Sequence, residues 1–184
     1  MSNSHHSHPA DDRRPLILLD VDGVVNDIGS HLGRWRSWAS RIVRSHGFVI
    51  VIPEFMPALI QYLDLIGEVV WCTTWRTRAN DDIAPALGVG PFEAIDDGTH
   101  RRDVDWKAGA AFRRADEALA EGRRVIWIED FAGYVPAAEM PPGVEFVDTA
   151  ADGEYVFLPE HLPADLRPSS LPGREREGSD SAGR

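Results

Sequence analysis

The sequence predicts a single α/β domain built on a parallel sheet. Two observations predict it. Short apolar runs alternate with helical patterns through the middle of the chain, and several of those runs end abruptly in polar or acidic residues. The length agrees, since 184 residues make one domain with a real core and are too few for two of ordinary size.

The elements follow in order. The apolar run Pro15-Leu16-Ile17-Leu18-Leu19 ends at Asp20 with a turn at Gly23, and reads as a fully buried first strand. Leu32 to Ser45 carries Trp35, Trp38, Ala39, Ile42 and Val43 at helical spacing, with Gly47 placed as a C-cap, which predicts a helix. Phe48 to Ile52 is a short extra strand. A second helix opens at Pro57, where the missing N–H removes no bond, and buries Leu59, Ile60, Leu63 and Ile66. Glu68 to Thr73 is the second core strand, followed by a helix near Arg78 to Leu87. Phe92 to Ile95 is the third core strand. Asp105 to Glu121 is a helix with Trp106, Ala110, Ala115, Ala118 and Leu119 along it and Gly122 after it. Arg124 to Ile128 is the fourth, running into Glu129-Asp130, and Val144 to Val147 the fifth. Residues 1–13 and 168–184, rich in Ser, Gly, Pro and charge, read as disordered extensions of a domain spanning 14–167. His5, His6 and His8 belong to the first of them.

Composition excludes several classes. No apolar run reaches the roughly 20 residues that span a bilayer, and the polar start is unlike a secretory signal, so a cytoplasmic protein without a membrane partner is expected. Cys72 is the sole cysteine and lies in the apolar run Val69-Val70-Trp71-Cys72, where a buried, inert thiol is the common outcome. A net charge of −11 argues against a generic nucleic-acid binder. Of the 19 basic residues 18 are Arg, and Lys107 is the only Lys. Either that Lys is kept for a task of its own, or it is a chance survivor in a coding sequence that depletes Lys everywhere.

In an open parallel sheet, ligands bind outside the C-terminal strand ends, near the point where strand order reverses. Asp20, Thr73 and Asp130 sit at three such ends, and Lys107 opens the helix leading to the fourth core strand. In Asp20-Val21-Asp22-Gly23-Val24-Val25-Asn26, two carboxylates two residues apart can converge on one metal or one reacting centre.

This segment resembles the first motif of the haloacid dehalogenase (HAD) superfamily. The family's other motifs follow in its order: a strand ending in Thr73, Lys107 at a helix start, and Val125 to Ile128 ending in Glu129-Asp130. The stretch Thr73-Thr74-Trp75 with Arg78-Ala79-Asn80 is similar to a bacterial subgroup named for HAD domains of RNA-repair ("Swiss Army knife") proteins. The resemblance implies a Rossmann-like three-layer sandwich with core-strand order 5-4-1-2-3. Few residues separate the first two motifs and they include core helices, so a minimal cap or none is expected.

It also implies a Mg²⁺-dependent phosphatase. Asp20 would be the nucleophile, Asp22 the general acid and base, Thr73 a phosphoryl contact with Thr74 as its rival, and Lys107 the neutralising cation. The metal set would be Asp20, Asp22 (through its backbone carbonyl), Asp130 and Glu129. The family's fourth motif usually carries an Asp pair; Glu129 departs from it and is expected as an outer or water-mediated partner. Trp75, Arg76 and Arg78, together with Arg101 and Arg102, are candidates for substrate contact. The implied partner is a small phosphorylated substrate; the subgroup points to a nucleotide or nucleic-acid end, whereas the acidic net charge argues for a small substrate instead. Alternatives are a HAD scaffold that binds without turnover, a phosphotransferase, and a dehalogenase, which the carboxyl of Asp22 disfavours. A response-regulator receiver domain fits poorly, because no Asp ends a strong third strand between Asp20 and Thr73.

Overall fold

The computed structural model describes residues 14–33, 38–98, 105–130 and 139–170. In chain order its elements are β1 (Leu16–Leu19), α1 (Ile28–His31), β2 (Ser40–Ser45), β3 (Phe48–Pro53), α2 (Met56–Ile66), β4 (Glu68–Trp71), α3 (Ala79–Leu87), β5 (Glu93–Ala94), α4 (Asp105–Ala120), β6 (Val125–Glu129) and β7 (Val144–Asp148). His5, His6, His8, Trp35, Arg101, Arg102 and Phe131 to Tyr134 lie outside the described residues, as does the tail from residue 171.

Five strands form one sheet in the order β5-β4-β1-β6-β7, every neighbour parallel. The labels differ from 5-4-1-2-3 because β2 and β3 intervene in the chain and pair only with each other. The strands expected as second to fifth are therefore numbered β4 to β7. The chain leaves β1 for β4 and β5 on one side, then crosses to β6 and β7 on the other, so strand order reverses between β1 and β6.

The apolar runs behave as strands buried on both faces. All four residues of β1 and all five of β6 are buried. Ile17 and Leu19 point to one face, where α2 and α3 supply Leu59, Ile60, Leu63, Ile83 and Leu87. Leu16 and Leu18 point to the other, where α4 supplies Ala110, Ala111, Ala115 and Ala118. Small alanines let α4 approach the sheet closely while Trp127 fills the space beside them. The result is helix, sheet, helix in three layers. No helix among the described residues is long and apolar enough to cross a membrane.

One expected element is replaced. Ser40–Ser45 is a strand, not the end of a helix, and pairs antiparallel with Phe48–Pro53 from Ser40↔Pro53 to Ser45↔Phe48. His46 and Gly47 form the two-residue connection, with φ of 49° and 86°. A tight hairpin needs positive φ at both central residues, so Gly47 serves a β-turn rather than a helix end. β-Branched Ile42 and Val43 then fit the ribbon better than a helix. The hairpin stands over the β1 turn, where the backbone N–H of Asp27 donates to the Val51 carbonyl at 2.8 Å. With the short α1 it makes up the regular structure between β1 and α2 among the described residues.

Leu18 is fully buried at the centre of the sheet. Leu18→Ala should destabilise the fold by about 2–5 kcal/mol, read as a lower urea midpoint at unchanged slope.

Candidate active site

β1 pairs in register with both neighbours, Leu19 lying opposite Trp71 and Ile128. The residues just past those positions therefore emerge together at one edge of the sheet. Asp20 follows β1, Glu129 ends β6, Asp130 follows it, and Thr73 lies two residues beyond β4. Lys107, in the first turn of α4, reaches the same edge. Its Nζ lies 3.1 Å from Asp20 Oδ2 and 2.5 Å from Glu129 Oε2. Carboxylate oxygens of Asp20, Glu129 and Asp130 all fall within 4.8 Å of one another.

These charges are withdrawn from water: Lys107, Asp20 and Glu129 are 7%, 5% and 4% exposed. Burial opposes the charge on Lys107, but Asp20 and Glu129 outweigh it and hold the ammonium firmly protonated. Burial and then the neighbouring Asp20 push Glu129 well above the ordinary carboxylate range, with Lys107 opposing them. The same two causes raise Asp130 to about 6. Three carboxylates thus share one ammonium, an excess of negative oxygen that a hard cation would relieve.

Asp22, whose charge also acts on Asp130, is held by two donors. Trp75 Nε1 donates to its Oδ2 at 2.9 Å and Asn26 Nδ2 to its Oδ1 at 2.8 Å. Asn26 in turn accepts from the Val51 N–H at 2.8 Å, which ties Asp22 to the hairpin. Asp22 belongs to no side-chain cation cluster among the described residues. Gly23 makes the turn possible: its φ is +73°, and a Cβ there would lie 2.1 Å from Asp130 Oδ2. The Gly23 carbonyl accepts from Thr149 Oγ1 at 2.7 Å, fastening the turn to the end of β7.

The remaining expected residues divide. Thr73 is buried at the β4 end and its Oγ1 accepts from the Trp75 N–H at 3.3 Å. Thr74 and Arg78 are exposed and line a cavity of about 220 Å³ with Asp22, Phe48 and Trp75. Arg76 does not join them. Its guanidinium pairs with Asp96 and with Asp97 (3.3 Å) and lies 4.2 Å above the Trp106 ring, so it braces the start of α4 beside Lys107. Cys72 is buried beneath this cluster, and burial drives its thiol far up, which suits an inert residue.

Sequence reasoning missed Asn26 and the hydrogen bond from Trp75 to Asp22. Asn26 stands in the motif itself and Trp75 directly follows Thr73-Thr74, but only the hairpin explains what each holds. Comparison of the chain with family models, curated proteins and solved structures finds no match.

Asp130 is raised from its ordinary 3.8 to about 6. The folded state therefore keeps a proton that the unfolded chain releases first, and stability attributable to this group falls as pH rises between those values. Metal-free protein titrated with urea across that range should show this slope. Lys107→Met, which leaves the carboxylates without their ammonium, should lose about 3–5 kcal/mol near neutral pH. That loss should shrink on acidification, and a pH-independent loss would contradict the shared-charge account.

Proposed function

We propose that this chain is a Mg²⁺-dependent phosphatase of the HAD type, hydrolysing a phosphate monoester through an aspartyl-phosphate on Asp20. The observation that carries the reading is the contact of Lys107 Nζ with Asp20 Oδ2 at 3.1 Å, inside a cluster of three carboxylates. An acidic nucleophile beside an ammonium is what attack on a phosphate dianion requires. The cation offsets repulsion between two anions and holds the attacking oxygen in place.

The chemistry divides into two displacements. Asp20 Oδ attacks phosphorus as the P–O bond to the leaving group breaks, and the leaving oxygen takes a proton from the Asp22 carboxyl. Asp22, now a carboxylate, then takes a proton from water as that water attacks phosphorus. This step releases inorganic phosphate, regenerates Asp20 and returns the proton to Asp22. Each Asp22 oxygen accepts one hydrogen bond and retains a second lone pair for this traffic. Lys107 stays charged throughout, and Thr73 and Thr74 stand at the β4 end as hydroxyl contacts for the phosphoryl oxygens.

The donor set suits Mg²⁺, a hard cation that takes oxygen ligands. Asp20 and Asp130 would hold it with the Asp22 carbonyl, and Glu129, bound to Lys107, would act from the outer shell. When bound, the ion neutralises charge on the transferring group.

Asp20→Asn should release no phosphate from a generic aryl phosphate, and Asp22→Asn should lower kcat by about 10²–10⁴-fold. Chelation should abolish turnover and added Mg²⁺ restore it. Calorimetric Mg²⁺ affinity should weaken as pH falls below about 6, where Asp130 takes up a proton. Turnover that survives both chelation and Asp20→Asn would overturn the proposal.

A further inference from the structure

The 220 Å³ cavity beside Asp22 is walled by the hairpin on one side and by the loop after β4 on the other. Phe48, next to the hairpin turn, is 62% exposed, an unusual place for a large aromatic residue. Its ring meets that of Trp75 edge-on, with centroids 5.4 Å apart and planes at 71°. Trp75 is itself held by its indole N–H on Asp22 Oδ2. One face of an aromatic corner is thus buried and fixed to the carboxyl that would protonate the leaving oxygen. The other face is open to the cavity. At the rim stands the exposed guanidinium of Arg78, with no ion pair among the described residues.

Building on the function proposed above, we infer that this cavity is the leaving-group subsite and takes a planar aromatic ring. The ring stacks on Phe48, and the ester oxygen that joins it to phosphorus lies toward Asp22. The size supports one ring-bearing fragment, since sites enclosing a whole drug-sized ligand run to about 300–1,000 Å³. An open aromatic face stacks well on planar π-systems, and a guanidinium at the rim adds a second flat cationic surface or pairs with an anionic substituent. A saturated polyol has no π-face to lay on the exposed Phe48 ring and gains less there than a planar ring does. The chain's charge of −11 favours a small ring-bearing ester over a long polyanion.

Two pairs of substrates isolate the ring while keeping the leaving alkoxide alike. A nucleoside 5′-monophosphate is compared with ribose 5-phosphate, and benzyl phosphate with cyclohexylmethyl phosphate. The wild-type kcat/KM ratio within at least one pair should favour the aromatic member by about tenfold or more. The pair that responds tells whether the ring sits one sugar away or directly on the leaving carbon. Phe48→Ala should bring that ratio down about tenfold, Phe48→Leu should do the same, and Phe48→Trp should retain it. Because Phe48 is exposed, these variants test stacking rather than folding. Binding of the same compounds to Asp20→Asn protein, measured by calorimetry, should follow the same order. Turnover of all four esters with ratios near one, or ratios indifferent to Phe48→Ala, would overturn the subsite assignment and leave the phosphatase reading intact. Absence of turnover with all four would count against that reading instead, and calorimetry would then judge the subsite alone.

Discussion

A single ammonium lies among three carboxylates at the C-terminal edge of the sheet, and the rest of this end of the molecule is arranged around that imbalance. Lys107 occupies the first turn of α4, where the helix dipole disfavours a cation. Its contacts with Asp20 and Glu129 more than offset that. Removing charge from water is expensive unless partners are close, and here the partners are supplied by two adjacent strands and one helix start. The position of each is therefore a condition on the others.

Parallel pairing is what meets the condition. β1 sits between β4 and β6, so the residues that end three strands emerge next to one another without any long loop to place them. Gly23 lets the chain turn sharply past Asp130, and Thr149 fastens that turn to the end of β7. Arg76 performs a similar task from the far side, clamping Trp106 and the acidic pair Asp96-Asp97 so that α4 begins in the right place. An Arg is well matched to this, because its planar group stacks and pairs at once.

The central strands β1, β4 and β6 and the helices α2 to α4 were legible because each carries an apolar run or a helical stripe, and burial on both faces enforces that pattern in the strands. Asp20 and Asp130 were legible for a related reason, since a polar residue that ends a buried run must emerge at the sheet edge, and Lys107 was legible as the only Lys, placed at a helix start. The hairpin was not. Trp38, Ile42 and Val43 match a helical stripe as well as they match a ribbon, and the deciding signal was local, two successive positive-φ residues at His46-Gly47. Missing the hairpin concealed what Asn26 and Phe48 do, since both act through it. The ion pairs of Arg76 were not legible because Asp96 and Asp97 lie beyond β5, 20 and 21 residues along the chain, where no spacing rule connects them.

Asn26 spans two structures with one side chain: its amide N–H holds Asp22 and its carbonyl oxygen receives the Val51 N–H of β3. The ribbon cannot lift from the turn beneath it without releasing the amide that orients Asp22. Access to this edge of the sheet and the aim of that carboxyl are mechanically joined, so a motion that widens the entrance also unsettles the group waiting inside.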